Sequence, residues 1–437
     1  MPLLLYICSK IESMLSIQLF RQEKELVLAG LQKKNFSNTA LVDSIIEVDE
    51  LRRTAQQEND ALAAIVNAAS KEIGALMGKG EKEAAEALKQ QVAQHKDQAK
   101  ALQTKLSELD ARLQELLISL PNLPHQSVPT GKTPEENEIV KQAGVIPDLS
   151  AQKAPHWELT EKYKLIDFEL GNKITGSGFP VYIDKGGKMP RALNNYFLDY
   201  NTSKGYKEYY PPHMVNADSA YATGQLPDKE GQMYHMPEDN FYMIPTAEVP
   251  LTNIFRDVIL TEQELPIKIT GYTPCFRREA GSYGKDVRGL NRLHQFDKVE
   301  IVQLVPTAQS YQVLEEMVAH VEGLLQALEL PYRILRLCGG DMSFASALTY
   351  DFEVYSAAQE RWLEVSSVSN FENFQTNRLK ARYKDAQGKI QALHSLNGSS
   401  LALPRILACL LENKQTPNGI ELPSELIPYL GANFKIQ

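Results

Sequence analysis

Cysteine is scarce in this chain of 437 residues, which carries only four. The four lie far apart and form no CxxC pair, so neither a disulfide framework nor a cysteine zinc site is expected. Reduced thiols are typical of cytoplasmic proteins, and we therefore expect a cytoplasmic location and no zinc. The four residues are Cys8, Cys275, Cys338 and Cys409.

Long apolar runs are also missing. The run from Met1 to Cys8 is too short to span a membrane, and it lacks the basic flank and cleavage site of a signal peptide. We expect no membrane partner, and we interpret residues 1–13 as an upstream extension before a true start at Met14. The net charge of −9 excludes a non-specific nucleic-acid coat, although a local basic patch remains compatible with it.

Proline is absent from residues 39–118, which hold only three glycines. Apolar side chains spaced by three and four residues predict two long helices joined by a tight turn at Met77–Gly80. Such helices pack antiparallel, which predicts an α-helical coiled-coil arm within an N-terminal domain spanning residues 14–120. The predicted seam of the second helix, with a core histidine, is Leu88, Val92, His95, Ala99, Leu102, Leu106, Leu109, Leu113 and Leu116. The looser seam of the first helix is Leu51, Ala55, Glu58, Leu62, Ile65, Ala69, Ile73 and Leu76.

Prolines return at Pro121 and Pro124, where they end the second helix. The polar residues 121–150 are interpreted as a linker. Residues 151–437 mix short β-rich segments with helices and show no regular alternation of strand and helix. This pattern predicts an α+β domain built on a largely antiparallel sheet with flanking helices.

Glycine-rich phosphate loops are absent, since the sequence has neither GxxxxGK[ST] nor a GxGxxG after a strand. A nucleotide would therefore need arginine for its phosphates. Residues 267–276 and 293–305 are predicted strands joined by a polar loop. At its edges, Arg277 can bond an α-phosphate, Glu279 can accept from an adenine amino group, and Phe296 can stack on the base. The same pattern also fits a solvated hairpin with cross-strand ion pairs, and residue types alone leave both interpretations open.

The letters of this region decide more than the pattern does. The segments Phe276–Gly281, Arg288–Leu290 and His294–Glu300 resemble motif 2 of the seryl-tRNA synthetases, a class II aminoacyl-tRNA synthetase family. Further segments resemble, in chain order, the family's motif 1, serine-binding, metal and ATP, and motif 3 segments. The likeness covers nearly the whole chain from about residue 14. The segments that carry it are Tyr210–Pro212, Pro245–Thr252, Phe276–Gly281, Arg288–Leu290, His294–Glu300, Glu364–Asn370 and Leu396–Arg405.

The resemblance implies an enzyme, a serine–tRNA ligase that activates L-serine with ATP to seryl-adenylate and transfers serine to tRNA. The serine-binding residues that it implies are Thr246, Ala247, Glu248, Glu300, Asn397 and Ser399. The implied ATP-binding residues are Arg277, Arg278, Glu279, Phe296, Glu364, Val365, Ser366, Ser367 and Arg405. Among these, Arg277 and Arg405 are implied in catalysis, and Glu364 and Ser367 are implied ligands of Mg²⁺.

The resemblance also implies macromolecular partners. In this family the helical arm grips the long variable arm of tRNA(Ser), and tRNA(Sec) is a further expected substrate. A homodimer is implied, with Tyr210–Pro212 at its interface. Candidate phosphate contacts on the arm are Lys71, Lys79, Lys82, Lys89 and Lys96, together with Lys100 and Arg112.

The chain departs from the family pattern in motifs 2 and 3. Arg278 stands where the family usually has serine, Ser400 stands where glycine is common, and Leu403-Pro404 replaces a commoner Val-Gly. Pro404 fits if its helix begins near Leu401, because proline is tolerated in a first turn.

Three alternatives remain open at this point. They are a synthetase-like paralogue that activates an amino acid without charging tRNA, another class II synthetase, and a coiled-coil scaffold with an inactive catalytic-like domain. Retention of the arm argues against the first, and the serine-like segment around Thr246 argues against the second. The third is disfavoured by the intact site residues, which are Arg277, Glu279, Glu364 and Arg405.

Overall fold

A computed structural model of this chain describes residues 17–149, 153–229, 231–279 and 288–437. The chain divides into two compact units, one ending at Pro121 and the other beginning at Asn122. The upstream extension interpreted at residues 1–13 and residues 280–287 of the predicted polar loop lie outside the described residues. Among the described helices, none is long and apolar enough to cross a membrane.

The N-terminal unit is helical and is dominated by an antiparallel hairpin of 40 and 37 residues. At 1.5 Å per residue, each of these helices is roughly 55–60 Å long. The turn lies at Gly80 and Glu81, because Gly80 adopts a φ of +82° and the two amides bond the last carbonyls of the preceding helix. The helices are α1 (Ile17–Gln22), α2 (Lys24–Lys33), α3 (Ala40–Lys79) and α4 (Lys82–Ile118).

The seam predicted for α4 is confirmed, since every one of its positions is buried or half-buried. The seam predicted for α3 is wrong by one residue in three places. The exposed residues there are Leu51, Glu58 and Ile65. Arg52, Asn59 and Val66 face α4 instead, because strict alternation of three and four residues keeps one helix stripe on its partner. A polar residue such as Arg52 can occupy that stripe by burying its aliphatic stem and exposing its charge.

Ten strands form the main sheet in the described part of the second unit. Its main order is β1-β11-β12-β13-β15-β10-β9-β4, and β14 pairs with both β15 and β8. All pairs are antiparallel except β4–β9 and β8–β14. The strands of this sheet are β1 (Glu138–Ala143), β4 (Lys207–Glu208), β8 (Ile259–Thr261), β9 (Ile267–Phe276), β10 (Gln295–Pro306), β11 (Tyr332–Arg336), β12 (Leu348–Ser356), β13 (Arg361–Asn370), β14 (Arg382–Lys384) and β15 (Ile390–Ala402).

Smaller elements complete this unit. The short strands outside the main sheet are β2 (Ile166–Asp167), β3 (Val181–Tyr182), β5 (Met214–Asn216), β6 (His235–Met236), β7 (Phe241–Met243), β16 (Gln415–Thr416) and β17 (Gly419–Ile420). The helices are α5 (His156–Lys162), α6 (Phe168–Ile174), α7 (Lys185–Ser203), α8 (Ala217–Ala222), α9 (Glu248–Asn253), α10 (Ser310–Ala327), α11 (Phe374–Leu379), α12 (Leu403–Asn413) and α13 (Ile427–Leu430).

The segment interpreted as a linker differs from that interpretation. Within residues 121–150, the strand Glu138–Ala143 pairs antiparallel with β11 and forms one edge of the main sheet. Asn122, at the start of the unit, is buried and donates to the carbonyls of Ala345 and Phe371. This segment therefore forms part of the second unit.

The two faces of the central strands serve different purposes because successive side chains point to opposite faces. On β10, Val299 and Ile301 belong to the main apolar core, against which α7, α10 and α12 pack. Lys298 and Glu300 point the other way and are also buried. The polar face of β10, β13 and β15 is where a site can form.

Candidate active site

A cavity of about 500 Å³ lies on the polar face of these central strands. Residues 223–229, together with Gln232 and Met233, line the cavity alongside the strands. Of the predicted site residues, those that line it are Thr246, Glu248, Arg277, Glu279, Glu300, Ser367, Asn397 and Ser399. The other predicted residues, which lie outside this lining, are Ala247, Arg278, Phe296, Glu364, Val365, Ser366 and Arg405.

The β9–β10 hairpin positions Arg277 at the end of β9. Its backbone amide donates to the carbonyl of His294 at 2.9 Å, which continues the ladder past the strand end. Its Nε donates to the carbonyl of Pro245 at 3.3 Å, and its guanidinium lies 5.2 Å from the ring centre of Phe296. These contacts hold a cation at the cavity wall, with an aromatic ring beside it.

Phe296 lies on the rim of a separate hollow of about 170 Å³. Arg278 is exposed, and only its backbone amide is held, by the carbonyl of Gln232. Of the two adjacent arginines, Arg277 is therefore the one that reaches the cavity.

Glu279 lines the cavity in a left-handed backbone conformation, with a φ of +49°. Its carboxylate accepts an ion pair from Arg292 Nε at 2.8 Å. The side chain of Glu279 is largely buried, whereas Arg292 is partly exposed. The carboxylate predicted to recognise adenine is thus fixed by a second cavity-lining arginine.

A buried acidic pocket forms at the inner end of the cavity. Lys298 Nζ pairs with Glu300 Oε2 at 2.8 Å, and both side chains are less than a tenth exposed. The hydroxyls of Thr246 and Ser399 each donate to the same Glu300 oxygen at 3.4 Å. One carboxylate therefore gathers the cation and both hydroxyls.

Glu248, at the start of α9, adds a second carboxylate to this pocket. Burial, reinforced by the charge of Glu300, raises the pKa of Glu248 to about 7. Its Oε1 accepts from Gln375 Nε2 at 2.5 Å, and Asn397 is a further hydrogen-bond partner. Lys298 neutralises Glu300, so the pocket contains one more carboxylate than cation.

The predicted Mg²⁺ ligands are brought to one face by a β-bulge. Glu364 faces Glu353 and Ser366 faces Phe352, so Val365 is an extra residue in β13. The bulge turns Glu364 and Ser367, which are three apart, toward the same side. In a regular strand they would face opposite sides.

Asp351, on β12, stands directly opposite Ser367 and was not predicted from the sequence. Its Oδ1 is buried without a hydrogen-bond partner among the described residues. Burial and the charge of Glu364 raise the pKa of Asp351 well above its usual range. A carboxylate in this state lacks a cationic partner.

Two predicted ATP contacts, Val365 and Ser366, and one predicted serine contact, Ala247, are turned inward. Val365 is fully buried in the main core, and the Ser366 hydroxyl donates to the carbonyl of Ser399 at 2.6 Å. Ala247 is likewise buried in a second apolar cluster. Any contact of these three with a ligand would come from the backbone, because their side chains are used in packing.

Arg405 lies at the start of α12 and bonds two backbone carbonyls. Its Nη1 donates to Glu364 at 2.7 Å, and its Nε donates to Asn291 at 3.0 Å. It also lies 3.6 Å from the Glu364 carboxylate. Arg405 is thus tied to the strand that carries the predicted metal ligands.

Comparisons with known proteins agree with this geometry. A model of the seryl-tRNA synthetase N-terminal domain matches residues 14–124, and a model of the class II tRNA synthetase core domain (G, H, P, S and T) matches residues 233–414. The serine–tRNA ligase of Salinibacter ruber is 50% identical over 420 residues, covering 96% of this chain and 98% of the relative. That of Chlorobaculum parvum is 45% identical over 423 residues, covering 96% and 99%.

The chain belongs to the seryl-tRNA synthetase family. Among solved structures, the seryl-tRNA synthetase from Pyrococcus horikoshii complexed with ATP superposes with a TM-score of 0.90 at 31% identity, covering 96% of this chain and 98% of that one. The cytoplasmic enzyme from Naegleria fowleri in complex with AMP gives 0.87 at 26%, covering 97% and 98%. The α+β fold predicted from the sequence, with its antiparallel sheet and helical arm, is confirmed.

The departures from the seryl-tRNA synthetase pattern in motif 3 have local explanations. The helix after motif 3 begins at Leu403, two residues later than predicted, and Pro404 occupies its first turn. Leu401 adopts a φ of +74°, in the left-handed region. The hydroxyl of Ser400, where the family often has glycine, donates to the side chain of Asn201 at 2.8 Å in the buried interior.

Sequence reasoning missed four residues around the site, of which Lys298 and Arg292 line the cavity. Lys298, Gln375, Asp351 and Arg292 each bond or face a predicted ligand residue. Only Lys298 carried a signal, because it lies two residues from Glu300 on a predicted strand and must share its face. Gln375 comes from an element far away in the sequence, whereas Asp351 and Arg292 come from the strand and the loop next to their partners, where no periodicity in the letters marks them.

Proposed function

We propose that this member of the seryl-tRNA synthetase family activates L-serine with ATP to seryl-adenylate and transfers serine to the 3′ end of tRNA(Ser), and of tRNA(Sec) as well. The observation that carries this assignment is the buried pocket in which Glu248 and Glu300 face a single lysine, Lys298. A buried carboxylate without a cation is costly, so a ligand ammonium would complete the charge balance.

Serine fits this pocket in both of its polar ends. The serine ammonium would lie between Glu248 and Thr246, where the uncompensated charge is. The serine hydroxyl would bond Ser399 and Asn397, which line the same cavity. A site built to bond a hydroxyl rejects alanine, because its own buried polar groups would be left unpaired. The small pocket would exclude threonine by lack of space.

ATP would occupy the outer part of the cavity. Glu279, oriented by Arg292, would accept from the adenine amino group, and Phe296 would contact the base. Arg277 would bind the α-phosphate, and Arg405 the γ-phosphate. The serine carboxylate attacks the α-phosphorus in line, and pyrophosphate leaves. The arginines stabilise the charge that develops on the phosphate oxygens, so catalysis comes from positioning and electrostatics.

The acidic face of β12 and β13 fits a divalent cation. Asp351 Oδ1 is buried without a partner among the described residues, and Glu364 and Ser367 share its face. Mg²⁺ prefers a carboxylate, phosphate oxygens and water, so few protein ligands are needed. Glu364 and Ser367 would hold it, and when bound it would neutralise phosphate charge. This arrangement is compatible with the finding that no group of three His, Cys, Asp or Glu among the described residues forms a metal site.

The second step uses the product of the first. The 3′-terminal hydroxyl of tRNA attacks the carbonyl carbon of seryl-adenylate, and AMP leaves. We propose that the α3–α4 hairpin binds the long variable arm of the tRNA through exposed lysines. The side chains predicted for this role are all exposed on the hairpin: Lys71, Lys79, Lys82, Lys89, Lys96, Lys100 and Arg112. Lys89 is paired with Glu86 at 2.9 Å, so its contribution would require exchange of that partner.

A cytoplasmic homodimer is part of the same proposal. Tyr210, in the segment that resembles motif 1, is 74% exposed in the single chain, as an interface residue would be. Sedimentation of the purified protein should give the mass of two chains of 49.0 kDa. A monomer at micromolar concentration would overturn this part of the proposal.

ATP–pyrophosphate exchange with a panel of amino acids, followed by charging of total tRNA, tests the function. We expect exchange with serine alone and charging only of tRNAs that have a long variable arm. Arg277→Ala should lower exchange by about 10²-fold, the usual order for loss of a charge-stabilising donor. Arg191→Ala, at an exposed position of α7, is the matched control and should retain full exchange. Exchange without charging would favour a paralogue, and absence of exchange would contradict the assignment.

A further inference from the structure

A buried histidine–carboxylate pair lies outside the cavity. His156 at the start of α5 and Glu412 near the end of α12 are both 0% exposed. Their side chains meet at 2.6 Å, from His156 Nδ1 to Glu412 Oε1, and the His156 backbone amide donates to the same oxygen at 2.8 Å. The function proposed above uses neither residue.

The hydrogen bonds fix the protonation of the imidazole ring. The backbone amide of Leu290 donates to His156 Nε2 at 2.8 Å, so that nitrogen must present its lone pair. The proton therefore resides on Nδ1 and is donated to Glu412. The carboxylate also accepts from the hydroxyl of Ser356 and from Gln359 Nε2. Burial by itself would raise the pKa of Glu412, but its hydrogen bonds, from His156 above all, lower it.

This pair and its neighbour Trp157 contact residues 288–290, which lead into β10. Gly289, with a φ of +66°, packs so closely that a Cβ there would lie 2.2 Å from His156 Nε2. The guanidinium of Arg288 lies 4.6 Å from the ring centre of Trp157, the residue after His156. Two successive residues are thus held by α5 before Leu290 bonds the imidazole.

Residues 288–290 continue directly into the proposed ATP site. Arg292, two residues after Leu290, forms the 2.8 Å ion pair that orients Glu279. The carbonyl of Asn291 accepts from Arg405 Nε at 3.0 Å. The His156–Glu412 pair therefore contacts the segment that bonds the residues assigned to adenine and to the γ-phosphate, and neither member of the pair lines the cavity.

We propose that His156 and Glu412 are positioning residues for ATP, which hold residues 288–292 so that Arg292 and Arg405 can order the nucleotide site. This inference rests on the proposed function, because it assigns a purpose to the same ATP site. A neutral imidazole with its proton on Nδ1 is required, since either alternative protonation would place a hydrogen against the Leu290 amide.

Two conservative variants test separately the charge of Glu412 and the hydrogen bond that His156 accepts from Leu290. Glu412→Gln keeps the shape of the side chain but removes the charge and one strong acceptor. His156→Asn keeps a donor toward Glu412 but loses the acceptor for Leu290. In ATP–pyrophosphate exchange, each should raise KM for ATP about tenfold, the order of one buried hydrogen bond to a charged or positioned group, and should leave KM for serine unchanged. Equal rises in both KM values, or no rise in KM for ATP, would overturn the proposal.

A spectroscopic measurement on the unmodified protein keeps the proposal testable if the variants fold poorly. Long-range ¹H–¹⁵N spectra of protein labelled at histidine should show His156 as the neutral Nδ1–H tautomer at pH 7. The His156 signal is assigned by its disappearance in His156→Asn or, if that variant is insoluble, in His156→Gln. An Nε2–H tautomer or an imidazolium would contradict the inference. Arg277→Ala, measured in parallel, distinguishes the two failures. If Arg277→Ala loses exchange while Glu412→Gln keeps an unchanged KM for ATP, only the positioning role is rejected.

Discussion

Replacing Glu248 by glutamine tests the charge balance of the serine pocket. The residue is 6% exposed, and burial, reinforced by the charge of Glu300, raises the pKa of its carboxyl group to about 7 from an ordinary value of 4.5. Glutamine has nearly the same shape, can still bond Gln375, and resembles the protonated acid. The variant therefore removes one titration and leaves the packing almost unchanged.

The sign of the pH effect follows from the raised pKa. A carboxyl group whose pKa is higher in the folded than in the unfolded protein contributes stability that is fully present below the unfolded value of 4.5. That contribution is lost as pH rises through the folded value of about 7. At 1.36 kcal/mol per pKa unit, the whole effect is about 3 kcal/mol, most of which falls between pH 5 and pH 8.

Urea unfolding at pH 5 and pH 8 measures this difference. Both tryptophans, Trp157 and Trp362, lie in the unit that contains the site, so their fluorescence follows its unfolding. Relative to the unmodified protein, Glu248→Gln should gain about 2 kcal/mol of stability on going from pH 5 to pH 8. Glu421→Gln, at an exposed position of the same unit, is the control and should show no such gain.

Serine binding provides a second measurement on the Glu248→Gln variant. Loss of one partner of a buried charge pair costs about 2 kcal/mol or more, so Glu248→Gln should raise KM for serine at least about thirtyfold. In the unmodified protein, apparent serine affinity should weaken below pH 7, where a proton competes with the ammonium for Glu248. An unchanged KM together with parallel stability profiles would refute the assignment of Glu248 as the uncompensated charge.

Three further predictions concern the N-terminal unit. Gly80→Ala should destabilise the hairpin by about 1 kcal/mol, because φ is +82° at this position. The control Gly78→Ala lies within the helix with open space around it and should be neutral or stabilising. Thermal unfolding followed by circular dichroism measures both variants. Asp49→Asn should cost about 2 kcal/mol in urea unfolding, because the 2% exposed carboxylate pairs with two arginines; equal midpoints would contradict this. Replacing residues 60–101 by a short glycine-rich turn should preserve serine-dependent exchange but lower tRNA charging at least about 10²-fold, and retained charging would remove the role proposed for the arm.

Local patterns in the sequence predicted the β9–β10 hairpin well. The strand Ile267–Phe276 has the predicted bounds, and Gln295–Pro306 begins two residues and ends one residue from its prediction. Both strands pair with each other over a short separation in sequence. The seam of α4 was equally readable, because a heptad pattern states directly which side of a helix is covered.

Patterns that depend on distant partners were read less well. The strand at Glu138–Ala143 is short and exposed, and its partner in β11 lies almost 200 residues later, so the segment resembled a linker. The seam of α3 was misread in three places because apolar Leu51 and Ile65 drew the pattern away from Arg52 and Val66. The partner helix selects a stripe by geometry and accepts a polar residue within it.

The sequence by itself determined the family, the order of the motifs and the main chemical types at the site, because these are carried by short stretches of letters. Tertiary structure alone decided which of them meet. It turned Arg277 into the cavity and left Arg278 outside it, and it aligned Glu364 with Ser367 through a bulge. It also gave Glu248 its raised pKa, since burial and a neighbouring charge are properties of a folded arrangement and cannot be seen in any one segment of the chain.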